Sequence, residues 1–278
     1  MLQNKSLAQK AARVRLLGLE MVHRASSGHI GGALSAVEIL TILYDEIMQI
    51  DPKNPRDPIR DRFVLSKGHA TPALYPLLAF RGYFPESDLT LFRSIDGQLS
   101  GHAEMHLVPG VDMSTGSLGQ GISAAVGMAI AGKLDRADYR VYTLLGDGEL
   151  NEGQVWEALA SANKYKLDNL CAIVDINGLQ IDGTTEDVMP MQPIDAKFAA
   201  FGWHVISVDG HDFDALRAAF EIAKSTAGCP TVLLAQTVKG KCVSFMEHVA
   251  DWHGVAPNDE QYARAHAEVA AIAQGLEG

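Results

Sequence analysis

Two polar side chains follow two apolar runs near the middle of this sequence. Asp147 lies in a Gly-Asp-Gly triplet directly after the run VYTLL, and Asn177 ends the next apolar run, LCAIVDIN. If these runs are neighbouring parallel strands, both side chains emerge at one carboxyl edge of the sheet. A helix that starts there offers free N–H groups to a phosphate. The pattern therefore predicts a divalent cation that carries a diphosphate, with a backbone carbonyl of Leu179 as a further ligand.

Mg²⁺ suits these oxygen ligands best, because it takes few protein oxygens and completes its octahedron with phosphate oxygens and water. Ca²⁺ and Mn²⁺ are alternatives. Taken alone, Gly146 and Gly148 favour a simple tight turn, but Asn177 follows a full strand–helix–strand crossover and strengthens the cation site. Haloacid-dehalogenase-type phosphatases also carry such a triplet. They need an earlier strand that ends in Asp-x-Asp, and none precedes Gly146.

Four histidines, His29, His69, His102 and His253, stand beside glycines in turn-like stretches. A single histidine is more often structural than catalytic, but loops at one sheet edge can gather several imidazoles around a diphosphate. Imidazoles donate hydrogen bonds to phosphate and transfer protons near neutral pH. The other histidines lack this context, and we assign structural roles to His23, His106, His204, His211, His248 and His266.

The elements that position these residues alternate along the chain. Apolar runs of strand length (RFVLS, RVYTLL, LCAIVDI, WHVISVDG and PTVLLAQ) are separated by helical patterns around Trp156, Phe198 and Leu216. This alternation predicts an α/β fold with a parallel sheet and helices on both faces. Further helices are predicted over residues 7–24, 35–48 and 259–274. Residues 96–119 form a glycine-rich irregular segment, and long ordered loops of this kind are typically functional.

The composition limits the number of domains and the kinds of partner. With 278 residues, 47% of them hydrophobic, the chain can bury the core of one large α/β domain over residues 1–278. No linker or internal repeat divides it. The formal charge of −11, from 34 acidic and 23 basic side chains, makes nucleic acid and anionic membranes poor partners. A phosphorylated sugar can still bind, because a phosphate site needs only a few local donors.

The first residues and the cysteines bear on location. The opening stretch MLQNKSLAQKAARVRLLGLEMVHRAS has helical periodicity with charges throughout, which argues against a signal peptide or a membrane span. Cys171, Cys229 and Cys242 share no metal-ligand spacing and no disulfide framework. This pattern favours a reducing compartment. We therefore expect a cytoplasmic protein.

The string GDGELNEGQVWEA…YKLDNLCAIVDIN resembles the thiamine diphosphate motif, and specifically that of transketolase. Further strings follow in the order of that family: SSGHIGGALSAVEIL, RFVLSKGHATPALY, LSGHAEMHLVPGVDMSTGSLGQGISAAVGMA, FGWHVISVDGHD and KGKCVSFMEHVADWHGVAP. The resemblance covers nearly the whole chain, but only the first, diphosphate-binding domain of a transketolase. It implies the thiamine diphosphate-binding (PP) fold and the N-terminal subunit of a split transketolase, with no pyrimidine-binding domain in this chain.

The resemblance also implies roles for single residues. His69 and His253 would contact the diphosphate, and Lys67 and Lys239 would add positive charge. The residues implied in cofactor binding are Lys67, His69, Gly116, Leu118, Gly146, Asp147, Gly148, Glu149, Asn177, Lys239 and His253, with Asp147, Asn177 and Leu179 as metal ligands.

His29, His102 and Glu157 match catalytic residues of the family. His29 would face the substrate, His102 would lie near the aminopyrimidine of the cofactor, and Glu157, with Glu152, would link two active sites across a subunit interface. A solvated helix face is the simpler explanation for Glu152. Two positions depart from the family pattern: Ile30 replaces a proline, and Ile176 replaces the first of a pair of asparagines.

The implied activity is transfer of a two-carbon ketol unit from a ketose (phosphate) donor to an aldose (phosphate) acceptor, as in the pentose phosphate pathway. The partner would be a C-terminal subunit that supplies the pyrimidine-binding domain and an activating glutamate, in an α2β2 heterotetramer. Alternatives are a non-catalytic thiamine diphosphate-binding module and a two-subunit transketolase for an unusual ketose. Deoxyxylulose-phosphate synthase and the α subunit of a 2-oxoacid dehydrogenase fit the strings SKGHATPALY and TGSLGQGIS less well.

Overall fold

A computed structural model describes residues 2–276. The strands are β1 (Arg62–Leu65), β2 (Val141–Gly146), β3 (Leu170–Ile176), the two-residue strands β4 (Leu179–Gln180) and β5 (Gly183–Thr184) of a separate hairpin, β6 (His204–Asp209) and β7 (Thr231–Gln236). At the centre is a five-stranded sheet in which every neighbouring pair of strands is parallel, in the order β1-β2-β3-β7-β6. The α/β fold with a parallel sheet is confirmed.

The register of the sheet brings the polar strand ends together. Gly146 of β2 lies opposite Asp175 of β3, and Asp175 lies opposite Ala235 of β7. Asp147 and Asn177 therefore follow the carboxyl ends of adjacent parallel strands, as the sequence predicted. This edge of the sheet carries the site described below.

Helices cover both faces of the sheet. They are α1 (Leu2–Ala25), α2 (Ile30–Leu34), α3 (Val37–Ile42), α4 (Thr71–Arg81), α5 (Gln120–Asp135), α6 (Gly153–Lys164), α7 (Thr185–Val188), α8 (Ile194–Ala200), α9 (Phe213–Ser225) and α10 (Asp259–Gly275). Alternate strand residues point into two different apolar cores: Leu144 and Ile173 lie in one core with residues of α1, α3, α4, α9 and α10, whereas Leu145 and Val174 lie in the other with residues of α5, α6 and α8. No helix within residues 2–276 is both long and apolar enough to cross a membrane.

Two helix predictions differ in detail from the structure. The helix expected over residues 35–48 is observed at residues 37–47, as α3 followed by a π-helical turn at Leu43–Ile47, and a further short helix, α2, precedes it at Ile30–Leu34. At Gly31 in α2, a Cβ would lie 2.6 Å from the carbonyl oxygen of Trp252, so this part of the chain is fixed by a tertiary contact. The helix expected directly after Asp147 begins at Gly153, and a 3₁₀ turn at Gly148–Asn151 precedes it. Residues 92–119 contain neither helix nor strand, as predicted for 96–119.

Candidate active site

A cleft opens at the carboxyl edge of the sheet. All of the predicted metal ligands line it, and so does every predicted cofactor-binding residue except Gly116. Gly32, Gln180 and Ile181 also line it and were not singled out from the sequence. The complete lining is Gly32, Lys67, His69, Leu118, Gly146, Asp147, Gly148, Glu149, Asn177, Leu179, Gln180, Ile181, Lys239 and His253.

Asp147 is a buried carboxylate that the backbone holds in place. Its Oδ1 accepts a hydrogen bond from the N–H of Gly148 at 2.9 Å, and its Oδ2 accepts one from Gly178 at 2.6 Å. Burial and the nearby carboxylate of Asp175 raise the pKa of Asp147 to about 6. A divalent cation at this position would supply the missing counter-charge, so Asp147 fits a metal ligand.

Asn177 and the turn after it form the other side of the predicted metal site. The side-chain Oδ1 of Asn177 accepts a hydrogen bond from the N–H of Leu179 at 3.1 Å. Gly178 has φ of +75°, a left-handed conformation that glycine adopts without strain. This turn starts the β4–β5 hairpin and brings Leu179 into the cleft beside Asp147.

Lys67 lies beneath the cleft in a buried ion pair. Its Nζ donates to a carboxylate oxygen of Asp175 and, at 2.8 Å, to the carbonyl of Gly32. The same carboxylate also accepts hydrogen bonds from Ser35 and Thr237. Burial alone would raise the pKa of Asp175, but Lys67 outweighs it and the pKa lies below its ordinary value. Lys67 is thus engaged with Asp175, whereas the sequence assigned its charge to the diphosphate.

Glu149 joins three segments around the cleft. Its carboxylate accepts hydrogen bonds from the Ser66 hydroxyl after β1, from the N–H of Gly119 at 2.9 Å, and from the N–H of Gly146 at 3.1 Å. Burial raises its pKa. Although Glu149 lines the cleft, its oxygens serve mainly to fix the loops on either side.

The four histidines selected from the sequence form a cluster. The ring centroid of His29 is 5.2 Å from that of His69 and 5.5 Å from those of His102 and His253, and the rings of His69 and His253 are 5.1 Å apart. The predicted gathering of glycine-flanked loops is therefore observed. The Nδ1 atom of His29 is buried and has no hydrogen-bond partner among the described residues.

The pKa values of all four imidazoles are lowered, which favours their neutral form at pH 7. Burial is the main cause that lowers the pKa of His29 to about 4, and His102 is the second. The pKa of His253 is also lowered to about 4, mainly by burial and secondly by the charge of Lys239. Burial also lowers the pKa values of His69 and His102. A neutral imidazole has one donor and one acceptor nitrogen. The cluster can therefore donate to an anion and also accept a proton.

Lys239 provides a buried positive charge next to the cluster. Its Nζ lies 3.4 Å from Nδ1 of His253, and the side chain is buried. Burial and the charge of Lys67 lower the pKa of Lys239 to about 8. An anionic ligand in the cleft would relieve this unfavourable environment.

Gly116, Leu118 and Glu157 were also predicted as site residues. Gly116 has φ of +146°, and a Cβ there would lie 3.1 Å from the ring of His102, so glycine allows this imidazole to pack on the backbone. Leu118 lines the cleft. Glu157 and Glu152 are exposed at the start of α6 and do not line the cleft. The link between active sites assigned to Glu157 stays a prediction.

Asp175 was not among the residues predicted from the sequence to lie in the site. The sequence does contain a signal for it, because Asp175 is an ionisable residue inside the apolar strand LCAIVDI. It lies two positions before Asn177 and therefore on the same strand face. A charged residue within a buried strand implies a buried partner. The partner, Lys67, could not be identified from the sequence.

A known protein family matches almost the whole chain. Residues 6–271 match the family described as "Transketolase, thiamine diphosphate binding domain". The chain belongs to this family. The resemblance to the N-terminal part of transketolase and the prediction of thiamine diphosphate as cofactor are thereby confirmed.

Among transketolase relatives, the 6-deoxy-6-sulfo-D-fructose transketolase subunit SqwG of Clostridium sp. (strain MSTE9) is 46% identical over 96% of this chain and 97% of its own length. An apulose-4-phosphate transketolase subunit of Phocaeicola vulgatus is 43% identical over 99% of this chain and 98% of its own length. Human transketolase is 45% identical over 90% of this chain, and the match spans 40% of that protein.

Transketolases of known structure share the fold. The enzyme from Campylobacter jejuni superposes with a TM-score of 0.89 at 32% identity over 98% of this chain and 45% of its own. The enzyme from Leishmania mexicana gives 0.85 at 30% identity over 98% of this chain and 45% of its own. This transketolase chain thus spans less than half the length of these solved structures.

Proposed function

We propose that this chain is the thiamine diphosphate-binding subunit of a two-subunit transketolase, which transfers a two-carbon ketol unit from a ketose to an aldose. The main observation is the cleft at the carboxyl edge of the sheet. It combines oxygen ligands at Asp147 and Asn177 with the imidazoles of His69 and His253 and the ammonium of Lys239. One end of the cleft suits a cation, and the remainder suits an anion.

The metal in this proposal is Mg²⁺. Asp147, Asn177 and the carbonyl of Leu179 would hold it, and the diphosphate and water would complete its coordination. Within residues 2–276 no group of three or more His, Cys, Asp or Glu side chains is arranged to hold a metal. A cation in the cleft therefore depends on oxygens from a ligand as well as from the protein.

Thiamine diphosphate, when bound, supplies the electron sink for carbon–carbon bond cleavage and formation. Lys239 and the imidazoles of His69 and His253 would bind its diphosphate. His29 and His102, whose lowered pKa values favour the neutral imidazole, would move protons to and from the hydroxyls of the sugar through a ring nitrogen. Gly116 would let the backbone approach the aminopyrimidine.

A second subunit completes the enzyme in this proposal, with two copies of each chain. It would carry the pyrimidine-binding domain and the activating glutamate. Support comes from the two relatives that match this chain over nearly their whole length, because both are named as transketolase subunits.

The donor in this proposal is a ketose with an anionic group far from the reacting carbonyl. The two subunit relatives are named for 6-deoxy-6-sulfo-D-fructose and apulose-4-phosphate, which carry a sulfonate and a phosphate. Membership of the pentose phosphate pathway and a cytoplasmic location stay predictions.

Histidine variants of the assembled enzyme test the division of roles. His69→Ala should raise the thiamine diphosphate concentration needed for half-saturation, because the change removes a diphosphate donor. His29→Ala and His102→Ala should mainly lower turnover at saturating cofactor, by about 10²–10⁴-fold if each transfers a proton. Steady-state kinetics across a cofactor titration separates the two effects. Equal losses of cofactor affinity in all three variants would contradict these roles.

A further inference from the structure

The side chain of Arg93 lies between the two segments that carry His29 and His102. Its Nη1 donates a hydrogen bond at 3.0 Å to the hydroxyl of Ser27, two residues before His29. Its guanidinium also packs on Gly101, directly before His102, so closely that a Cβ at Gly101 would overlap it. One side chain therefore contacts both histidine-bearing segments.

The position of Arg93 carries a conformational cost. Its φ is +58°, which is uncommon for a residue other than glycine, and its N–H donates to the carbonyl of Leu99 at 2.8 Å. The guanidinium lies 5.7 Å from the ring centroid of the buried Phe92, and its Nε is buried without an acceptor among the described residues. A strained backbone and an unpaired buried donor persist only when the surrounding structure holds them, and such features cluster at functional sites.

We propose that Arg93 is a positioning residue that fixes the relative placement of His29 and His102 by clamping the two backbone segments that carry them. The rings of these histidines are 5.5 Å apart, and proton transfer to a bound sugar requires each to keep its place to within a fraction of an ångström. Arg93 has this role in catalysis only if the proposed ketol transfer is correct.

The positive charge of Arg93 also affects both histidines, because it lowers their pKa values. For His102, the charge of Arg93 is the second cause of the lowered pKa, after burial. For His29 it is the third cause, after burial and His102. It is not among the causes for His69 or His253. The charged and titratable groups that face His29 are His69, His102, His253, Arg93 and Lys239.

Three variants of the assembled enzyme test the clamp. Arg93→Met removes the guanidinium, and Gly101→Ala displaces it while leaving its charge in the protein. Because the displaced atoms are the far end of a flexible side chain, Gly101→Ala should leave the fold intact. Both should lower kcat by about 10- to 100-fold and leave the half-saturating thiamine diphosphate concentration within about twofold. Arg93→Lys keeps a charge but cannot bridge both segments, so its kcat should also stay low.

Arg264→Met is the matched control. Arg264 also donates to a serine hydroxyl, that of Ser244, and lies over a phenylalanine ring, that of Phe245, but it lies on α10 and its hydrogen bonds within residues 2–276 involve no site histidine. The kcat of Arg264→Met should equal that of the unmodified enzyme. Unchanged kcat in Arg93→Met, or full activity in Arg93→Lys, would overturn the clamp.

A measurement without turnover distinguishes the clamp from the proposed function. In the full chain labelled with ¹⁵N-histidine, Arg93→Met should raise the NMR-detected pKa values of His29 and His102 and leave those of His69 and His253 unchanged. Arg93→Lys should raise the pKa values of His29 and His102 less than Arg93→Met does. If the unmodified assembly shows no ketol transfer, the proposed function fails, whereas unshifted His29 and His102 pKa values in Arg93→Met would overturn the placement of Arg93.

Discussion

Asp147 and Asn177 lie on the same cleft but differ in charge, and this difference predicts unequal effects when each is removed. Asp147→Ala deletes a buried charged ligand and should weaken thiamine diphosphate binding by about 3 kcal/mol or more, on the order of 10²-fold. Asn177→Ala deletes a neutral ligand and should cost less. Titration of the cofactor into the assembled enzyme at fixed Mg²⁺ measures both.

Asp182→Ala is the control for these variants, because Asp182 is an exposed acid on the hairpin that carries Leu179. Its cofactor affinity should be unchanged. If Asp147→Ala binds the cofactor as well as Asp182→Ala does, the metal ligand assignment is wrong.

The lowered pKa of Lys239 predicts that cofactor binding at the same site is accompanied by proton uptake. With a pKa of about 8 it is about half protonated at pH 8 in the free chain, and a bound diphosphate would raise this pKa and hold the ammonium fully charged. Cofactor binding at pH 8 should therefore take up about half a proton. Calorimetry in two buffers of different ionisation enthalpy measures this uptake. Lys239→Met should abolish the uptake, and a binding enthalpy independent of buffer in the unmodified protein would contradict it.

At the scale of elements, a buried polar network fixes the loop that carries Lys239. Arg15 of α1 donates to Glu38 of α3 at 2.6 Å, and Glu38 accepts from Nδ1 of His211 at 2.9 Å. His211 accepts at Nε2 from the N–H of Val238, which directly precedes Lys239. The network thus joins two helices to the segment after β7.

Glu38→Gln should destabilise the fold by about 3–5 kcal/mol, because Arg15 would remain buried without its counter-charge. Burial alone would raise the pKa of Glu38, but Arg15 and His211 lower it to about 2. A lowered carboxylate pKa stabilises the fold above the unfolded pKa of about 4.5, and this contribution is lost as the pH falls from there towards 2. Urea denaturation at several pH values measures both effects.

Glu86→Gln provides the comparison, since the Arg13–Glu86 pair is exposed. It should cost no more than about 1 kcal/mol. Equal stabilities of the Glu38 and Glu86 variants would show that the buried network contributes nothing beyond a surface ion pair.

The strands and the cleft edge were predictable from the sequence, because apolar runs and the residues at their ends are local signals. The short helix α2 was not, since its Gly31 packs against the backbone of Trp252, which comes from the far end of the chain. The same limit applies to Lys67, whose ion pair with Asp175 spans 108 residues of sequence. Local patterns identified which side chains meet at the edge but not which of them are already paired.

At the scale of the whole molecule, we expect this chain to be inactive by itself. The cleft holds groups for the diphosphate and the metal, and His102, whose ring centroid lies 5.5 Å from that of His29, is exposed. The purified chain should show no ketol transfer and only weak cofactor binding, and addition of the pyrimidine-binding subunit should restore both. Coupled assays and light scattering of the mixture measure activity and stoichiometry. Turnover by the chain alone, linear in its concentration, would contradict the need for a partner.

The buried pair beneath the cleft also restricts how this chain can evolve. Lys67 and Asp175 form an enclosed ion pair, and the hydroxyls of Ser35 and Thr237 donate further hydrogen bonds to the Asp175 carboxylate. Mutation of either charged residue alone leaves the other buried and unpaired, so each single mutation strongly destabilises the fold and is selected against. Descendants of a common ancestor should therefore retain both residues or exchange both for an uncharged pair of similar volume. Lineages that carry only one of the two should be rare.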